Sequence, residues 1–322
     1  ICETKNWGKV RTNAEYIYGD TDSVFFSFNL KELDGTSIIG KKALEITIEL
    51  AVEAGELATM WLKDPHDLEY EKTFDPFLLL SKKRYVGMLH EFDINKGKRK
   101  EMGIVLKRRD NANCVKDVYG GVVDMLMKGL SVLDAVKFTK KYLNDMVKGK
   151  IGLEKLIITK KLNAFYKNPL SIAHKVLADR MAKRDPGSKP SVGSRMPFAY
   201  IKTGKKVKLQ GDKIESPDYI KKNKLKLDYE FYITNQIMKP LLQLFGLVLE
   251  KIPKFKGKMP SYKRKMKVLM RKLKKEELTD EKYKNKVTKL RDGFVKELIF
   301  NKSLGKKQQK TIQEALANYF EK

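Results

Sequence analysis

Residues that build disulfide frameworks and zinc sites are scarce in this sequence. Its 322 residues include two cysteines, Cys2 and Cys114, and three histidines, and no Cys-x-x-Cys pair occurs. A structural zinc site needs four clustered Cys or His ligands, and a disulfide framework needs several paired cysteines. The composition therefore argues against both classes of protein and is typical of a reducing compartment.

Long apolar runs are also missing. No stretch is long enough to span a bilayer, and the amino terminus has no signal-peptide pattern. Hydrophobic residues make up 42% and charged residues 34% of the chain, which predicts a folded protein with a highly charged surface and no membrane partner. The chain begins at Ile1 rather than Met and soon enters a predicted core hairpin, so we expect a fragment or one half of a processed or split protein.

Acidic residues are in the minority, and they are concentrated near the start. The formal net charge is +28, made up of −7 in residues 1–80, +20 in residues 81–250 and +15 in residues 251–322. An acidic segment followed by two basic segments is typical of a metal site beside a polyanion-binding surface. A solvated basic face without a partner is the alternative, but a surplus of this size favours nucleic acid.

Residues 18–23, Tyr-Gly-Asp-Thr-Asp-Ser, are the most informative stretch of the chain. Aromatic and β-branched residues flank them on both sides, which predicts a β-hairpin with Asp20 and Asp22 at its tip. Two carboxylates on a rigid turn can hold divalent cations, and metal pairs roughly 3.5–4 Å apart stabilise the attacking and leaving oxygens of phosphoryl transfer. A polar turn without a ligand is the simpler alternative.

The rest of the chain predicts strands and one helix before residue 110 and mostly helices after it. Apolar residues at helical spacing predict a helix over 41–62, and apolar and aromatic segments predict strands after it. The predicted strands are 68–80, 84–92 and 102–106, and the later predicted helices are 117–128, 132–147, 170–184, 229–249 with an interruption near Pro240, and parts of the Lys-rich tail up to Phe320. This order predicts an α+β fold with one domain over 1–110 and a second, mostly helical domain over 111–322.

Several basic motifs follow the acidic hairpin. Residues 82–85 read Lys-Lys-Arg-Tyr, and residues 103–110 read Gly-Ile-Val-Leu-Lys-Arg-Arg-Asp. Such cations can hold the sugar-phosphate backbone and the minor groove, where base-pair shape is checked without reading sequence. Further motifs lie at 158–162, 166–169, 172–174, 184–187, 193–197 and 228–233. In this order, the motifs resemble the palm and thumb of family B DNA polymerases, delta-like replicative members above all, over roughly residues 1–250.

The resemblance implies a role for each matching residue. Asp22 is the metal-ligating and catalytic carboxylate of the motif, Asp20 is a weaker or indirect catalytic ligand, and Glu71 is a further nearby carboxylate for two Mg²⁺ ions. The residues implied in DNA binding are Lys82, Lys83, Arg84, Tyr85, Lys107, Arg108, Arg109, Thr159, Lys160 and Arg195. Asp110 is expected to orient an arginine while the neighbouring cations face DNA.

The resemblance also implies a fragment that is inactive by itself. It corresponds to the rear of the palm (1–110) and the thumb with a basic extension (111–322), and the Asp-x-x-Ser-Leu-Tyr-Pro-Ser and Lys-x-x-x-Asn-Ser-x-Tyr-Gly motifs of the family are absent from the sequence. The implied partners are primer–template DNA, deoxynucleoside triphosphates, the missing amino-terminal polymerase portion and a sliding clamp. The absence of the cysteine clusters of cellular delta-type enzymes, with the Lys-rich tail, suggests a large DNA virus and an intracellular location, in the nucleus or at a cytoplasmic replication site.

Two alternatives remain from the residues themselves. One is a non-catalytic module that binds duplex DNA without sequence preference, either as a polymerase relic or as a separate subunit. The other is a two-metal nuclease, which would need further clustered acids and a His or Lys base that the sequence does not supply. Retention of both Asp20 and Asp22 argues against a relic.

Overall fold

The computed structural model describes residues 1–304 apart from 130, 205, 206 and 208; the side chains of Lys107, Ser188 and Lys302 also lie outside the description. The chain divides into two compact units, Ile1–Lys107 and Arg108–Lys322. Each unit combines helices with small antiparallel sheets, so the predicted α+β class is confirmed. None of the helices in the described residues is both long and apolar enough to cross a lipid bilayer.

The amino-terminal unit contains two small hairpins, one long helix and one three-stranded sheet. The strands are β1 (Cys2–Thr4), β2 (Gly8–Val10), β3 (Glu15–Asp20), β4 (Ser23–Ser27), β5 (Thr73–Ser81), β6 (Arg84–His90) and β7 (Lys98–Met102), and the helix is α1 (Gly40–Thr59). β1 pairs with β2, β3 pairs with β4, and the larger sheet has the order β5-β6-β7, with every pair antiparallel. The predicted acidic hairpin and the helix predicted over 41–62 are therefore confirmed.

A small hydrophobic core holds α1 against the start of the chain. Its buried members come from β2, from the loop before α1 and from the helix itself: Val10, Leu30, Ile38, Ile46 and Leu50. Their spacing on α1 follows the helical period that predicted the element. At roughly 25 cal/mol per Å² of buried apolar surface, each such side chain stabilises the unit by about 1.5–3 kcal/mol relative to an exposed one.

Two strand boundaries in this unit differ from the prediction. β5 begins at Thr73 rather than at residue 68, and β7 covers Lys98–Met102, where the sequence predicted a strand over 102–106. β7 reads Lys-Arg-Lys-Glu-Met and pairs only with β6, so it is an edge strand with no apolar alternation. Edge strands commonly carry Lys, which blocks pairing with other chains. The apolar Ile104 and Val105, which suggested the strand, are buried where a short 3₁₀ turn begins at Val105.

The carboxyl-terminal unit is mostly helical. Its helices are α2 (Asn113–Met127), α3 (Val132–Val147), α4 (Leu153–Leu156), α5 (Ala173–Arg184), α6 (Pro217–Lys222), α7 (Tyr229–Phe231), α8 (Met238–Leu247), α9 (Met259–Lys274) and α10 (Asp280–Val295). Its strands are β8 (Ile158–Lys161), β9 (Arg195–Tyr200) and β10 (Ile214–Glu215), in the antiparallel order β10-β9-β8. The predicted helix over 132–147 is confirmed with both boundaries, whereas α2 begins four residues before the predicted position.

The long apolar segment after residue 229 is interrupted near Pro240, as predicted, and the interruption lies just before the proline. A π-helical stretch, Tyr232–Ile237, separates α7 from α8, and Pro240 lies inside α8. A proline within a helix cannot donate to the carbonyl four residues earlier and clashes with it. Wider π turns are a usual way for a helix to absorb such a defect, so the backbone change falls one turn before the residue that the sequence marks.

The basic tail forms a helical hairpin as far as the structure describes it. α9 and α10 are joined by a short connection, and three aromatic rings, Phe255, Tyr262 and Phe294, pack edge to face with centroids 5.5–5.7 Å apart. The predicted helical segments up to Phe320 include residues 305–322, which lie outside the described residues.

Candidate functional site

The tip of the β3–β4 hairpin presents the two predicted carboxylates in a tight turn. Asp20 lies opposite Ser23, which leaves Thr21 and Asp22 as the connection. The Asp22 N–H donates to the Asp20 carbonyl at 2.9 Å, and Thr21 has a φ of 61°. An i-to-i+2 hydrogen bond around a residue with positive φ is the mark of a rare, strained γ-turn. Strained turns occur often at functional sites, where they hold side chains in fixed positions.

The two carboxylates have different surroundings. The Lys83 ammonium lies 3.3 Å from Asp20 Oδ1, and the Thr21 hydroxyl donates to the same oxygen at 3.4 Å. Asp20 is half-buried, and Asp22 is exposed. Among the described residues, no cation or hydrogen-bond donor pairs with the Asp22 carboxylate. Asp22 is therefore the carboxylate with oxygens available for a ligand.

An aromatic cluster holds the hairpin on the three-stranded sheet. Its rings come from β3, β4, β5 and β6: Tyr18, Phe25, Phe74, Phe77 and Tyr85. Phe25 stacks on Phe77 at 5.7 Å between centroids, and Phe77 lies 5.4 Å from Tyr85. The Tyr18 hydroxyl also accepts a hydrogen bond of 2.8 Å from the Lys83 N–H. Aromatic pairs of this kind contribute about 0.5–1.5 kcal/mol each beyond area burial, so the acidic tip is rigidly positioned.

Tyr85, predicted to contact DNA, lies inside this cluster. It is only 7% exposed, and burial raises the pKa of its hydroxyl, with smaller contributions from the neighbouring Tyr18, Glu71 and Asp20. Its hydroxyl therefore stays protonated at neutral pH. The described contacts of its ring assign Tyr85 a positioning role beneath the tip.

The Lys82-Lys83 turn between β5 and β6 depends on a glycine elsewhere in the sheet. Ser81 lies opposite Arg84, and Lys83 has a φ of 58°. Arg84 Nε donates to the Gly103 carbonyl at 3.3 Å. Gly103 has a φ of 57°, and a Cβ added to it would lie 2.3 Å from the Lys83 carbonyl oxygen. Only glycine fits there, so Gly103 determines the position of the basic turn.

Glu71 is not gathered with the two aspartates. Its carboxylate pairs with the adjacent Lys72 and is mostly exposed. Within the described part of the chain, no three His, Cys, Asp or Glu side chains are placed to hold a metal ion together. Asp20 and Asp22 alone still fit Mg²⁺, which is usually bound by one or two carboxylates with substrate phosphates and water.

Asp110 forms the centre of a second charged cluster, in the carboxyl-terminal unit. Arg108 Nε and Nη2 donate to its two carboxylate oxygens, both at 3.1 Å, and the Lys160 ammonium donates at 2.8 Å. The Arg108 guanidinium and the Lys160 ammonium hold the pKa of the Asp110 carboxyl well below its usual range, and Asp110 in turn raises the pKa of Arg108. The expected pairing of Asp110 with an arginine is present.

The remaining predicted DNA contacts of this unit lie next to the Asp110 cluster. The Thr159 hydroxyl donates to the Arg109 carbonyl at 3.2 Å, and Arg195 Nη2 donates to the Thr159 carbonyl at 3.1 Å. The side chains of Arg108, Arg109 and Arg195 are exposed. This arrangement presents arginines at the β8–β9 edge, while the predicted Lys107 contact lies outside the described side chains.

Sequence reasoning missed the residues that position the site. The sequence predicts only strand positions for Tyr18 and the phenylalanines of the cluster, and it predicts a DNA contact for Tyr85. Gly103 enters the sequence interpretation only as one letter of a motif. A glycine inside the strand predicted over 102–106 is the signal that could have pointed to a close backbone approach. The aromatic cluster had no sequence signal, because its members are up to 67 positions apart.

Comparison with protein families matches residues 2–248 to DNA polymerase family B. A DNA polymerase of Pyramimonas orientalis virus is 53% identical over 256 residues, which cover 79% of this chain and 21% of that protein. A DNA polymerase of Acanthamoeba polyphaga mimivirus is 45% identical over 242 residues, which cover 74% of this chain and 14% of that protein.

Cellular proteins are similar to the same region. The DNA polymerase delta catalytic subunit of Candida albicans is 37% identical over 243 residues, which cover 74% of this chain and 22% of that protein. The chain thus spans between about a seventh and about a fifth of the length of these relatives. The matched region contains both the acidic tip and the Asp110 cluster.

Proposed function

This chain belongs to DNA polymerase family B, and from that premise we propose that it is part of a longer, replicative DNA-directed DNA polymerase. The proposed reaction is the templated addition of deoxynucleotides to a primer 3′-OH. The observation that carries the proposal is the strained Asp20-Thr21-Asp22 turn, whose Asp22 carboxylate pairs with none of the described residues and which has an aromatic cluster beneath it. A rigid turn is suited to a reaction whose rate depends on holding the reacting groups in a fixed geometry.

The two aspartates have separate proposed roles. Asp22 is the direct ligand of divalent cations, because its oxygens are exposed and uncompensated among the described residues. Asp20 is a second ligand once Lys83 releases it, and Glu71 is an outlying carboxylate. Bound Mg²⁺ ions in such sites stabilise the attacking and leaving oxygens of phosphoryl transfer. The contribution of the chain is to hold the carboxylates in place before the substrate arrives.

The basic groups beside both sites are proposed to hold the primer–template. Lys82 and Lys83 project from the turn next to the acidic tip, and Arg84 is fixed on Gly103. In the other unit, Arg108 and Lys160 are partly neutralised by Asp110, while Arg109 and Arg195 are exposed. Contacts of this kind to phosphates give affinity without sequence preference.

The proposed partners follow from this assignment. They are primer–template DNA, deoxynucleoside triphosphates, the rest of the polymerase and a sliding clamp. Residues 1–110 are proposed as the rear of the palm, and residues 111–322 as the thumb with a basic extension. The absence of the two other family motifs from this sequence leads us to expect that the 322-residue chain alone does not extend a primer.

Primer extension by the complete polymerase that carries this chain tests the proposal. Asp22→Ala is expected to reduce extension by about 10²–10³-fold, the usual cost of losing one electrostatic contributor to a transition state, while duplex affinity stays near that of the wild type. Asp67→Ala, an exposed acid in the same unit, is the matched control and should extend normally.

Two outcomes would contradict the assignment. Equal extension by the Asp22→Ala and Asp67→Ala polymerases would remove the catalytic role of the hairpin. Duplex binding without any extension by the unmodified complete polymerase would favour the non-catalytic DNA-binding module instead.

A further inference from the structure

Helix α9 has an extreme charge composition and lies beyond the matched family region. Seven of its 16 residues are Lys or Arg, and none is Asp or Glu. The family match ends at residue 248, eleven residues before α9 begins. The charge of this helix is therefore a feature of this chain that family membership does not account for.

The apolar face of α9 is already occupied within the protein. Tyr262 and Leu269 are buried, and Tyr262 packs between Phe255 and Phe294. A basic amphipathic helix that binds membranes must bury its apolar face in the lipid boundary. Since that face of α9 is packed against its own unit, the helix offers a partner mainly its charged face.

The outward face of α9 presents a continuous row of cations. Lys263, Arg264, Lys267 and Arg271 are exposed and line one shallow groove together with Pro260 and Val268. No ion pair to these four cations occurs within the described residues. α5 is different, because its Arg180 and Arg184 both pair with the buried Glu215.

This row costs the helix stability. Lys263, Lys267 and Arg271 are spaced four residues apart, so like charges face one another on successive turns. Like charges at this spacing repel one another and destabilise an isolated helix. An anionic partner that lies along the row removes this repulsion, which gives the row a binding role rather than a role in stability.

We propose that the exposed face of α9 is a further nucleic-acid-binding surface, which holds the phosphate backbone of duplex DNA without sequence preference. Single-strand binding surfaces combine cations with aromatic side chains on which bases stack, and the exposed residues of α9 include no aromatic. Base readout commonly adds Asn, Gln or acidic side chains to Arg and Lys, and the residues that line the groove include no Asn, Gln, Asp or Glu. The four cations, spread over two helical turns, match a row of backbone phosphates. This surface is independent of the acidic hairpin and its proposed chemistry.

The test is the binding of a duplex of random sequence to the 322-residue chain, measured by fluorescence anisotropy across a salt series. The variant carries Lys263→Gln, Arg264→Gln, Lys267→Gln and Arg271→Gln. The matched control carries Lys221→Gln, Lys222→Gln, Lys224→Gln and Lys226→Gln, which removes the same charge from exposed lysines of the same unit.

The α9 variant is expected to bind the duplex more weakly. The slope of its plot of the logarithm of the binding constant against the logarithm of the salt concentration (the log–log salt slope) should be shallower by up to about 3.6, at about 0.9 for each phosphate that the variant no longer neutralises. The control should keep the wild-type slope, and the Tm of the α9 variant should equal or exceed that of the wild type. Equal weakening of both variants would overturn the proposal, because net charge alone would then explain binding. A lower Tm would assign the cations a structural role instead.

Two further measurements separate the competing partners and the two proposals. Stronger binding of the wild type to single strands or to anionic vesicles than to duplex would also overturn the proposal. Primer extension by the complete polymerase with the α9 substitutions, at saturating primer–template, should remain normal. Failure of the α9 proposal therefore leaves the Asp22 assignment intact, and the reverse also holds.

Discussion

The acidic tip and the Asp110 cluster place carboxylates in opposite electrostatic situations. Asp110 is engaged by Arg108 through two hydrogen bonds and by Lys160 through a third. Asp22 has no such partner among the described residues, and Asp20 has one exposed lysine at 3.3 Å. A carboxylate whose oxygens are already compensated has little to offer a metal ion, whereas an uncompensated one is available. The comparison shows that the partners of an aspartate, rather than its presence in a motif, decide what it can do.

The means of positioning also differ between the two sites. The tip is held from below by stacked aromatic rings and by a hydrogen bond from the Lys83 N–H to Tyr18. The Asp110 cluster is held by ion pairs between β8 and the residues before α2. The first arrangement leaves the charged groups free for ligands, and the second uses them for structure. Substitutions at Gly103, at Asp110 and in the Lys82-Lys83 turn test this division.

The largest expected effect is the loss of folding stability caused by Gly103→Ala. A Cβ at this position would lie 2.3 Å from the Lys83 carbonyl oxygen, and the residue has a positive φ. The backbone conformation costs about 1–2 kcal/mol for a residue other than glycine, and the clash adds to it, so we expect a total loss of about 2–4 kcal/mol. Urea unfolding of the 322-residue chain measures this loss.

Gly35→Ala is the matched control for this prediction. Gly35 also has a positive φ, but a Cβ there would meet no atom within 4 Å. It should therefore show only the cost of the backbone conformation. Equal losses for the two variants would mean that the Lys83 turn does not depend on a close approach of Gly103.

A smaller loss of folding stability is expected from Asp110→Asn, and this loss should depend on pH. The pKa of Asp110 is lowered in the folded state, so its stabilising effect is fully present above the unfolded pKa of about 3.9 and is lost as pH falls below it. Because the cluster is partly exposed, we expect about 1–2 kcal/mol at pH 7. The difference in unfolding free energy between wild type and variant should shrink below about pH 4.

Asp67→Asn provides the comparison for that experiment, because Asp67 is exposed on a loop of the other unit. It should leave stability unchanged at every pH. A difference between wild type and Asp110→Asn that persists undiminished at pH 3 would show that the ion pairs do not supply the effect.

The smallest expected effect is on duplex binding, from substitutions in the Lys82-Lys83 turn. Lys82→Ala should make the log–log salt slope of duplex binding shallower by about 0.9, the contribution of one phosphate contact. Lys83→Ala should change the slope less, because the Lys83 ammonium is partly compensated by Asp20. Anisotropy titrations with two unrelated duplexes measure both slopes and should give the same values for each duplex.

Lys9→Ala, at an exposed position on β2, serves as the control and should keep the wild-type slope. A larger change for Lys83→Ala than for Lys82→Ala would contradict the expectation that the pairing with Asp20 weakens the contribution of Lys83 to DNA binding. A preference for one duplex that survives high salt would indicate base readout and argue against the proposed polymerase contacts.

The sequence by itself determined the elements whose signals are local. The β3–β4 hairpin follows from a turn between aromatic and β-branched flanks, and α3 follows from an apolar period with Ser131 as its amino-terminal cap. The order of motifs also pointed to the polymerase family. The hairpin and the helix depend on residues within about 16 positions of one another, where side-chain spacing and backbone preference decide the structure.

Only the tertiary structure decided the relations between distant residues. β7 lacks apolar alternation because an edge strand faces solvent, and it is recognised only through its pairing with β6. The approach of Gly103 to Lys83 and the ion pair of Lys160 with Asp110 join residues 20 and 50 positions apart. The tertiary structure also decided the difference between Asp20 and Asp22, although these residues are only two positions apart in the sequence. Lys83, brought near by the packing of two sheets, pairs with Asp20, whereas no described residue pairs with Asp22.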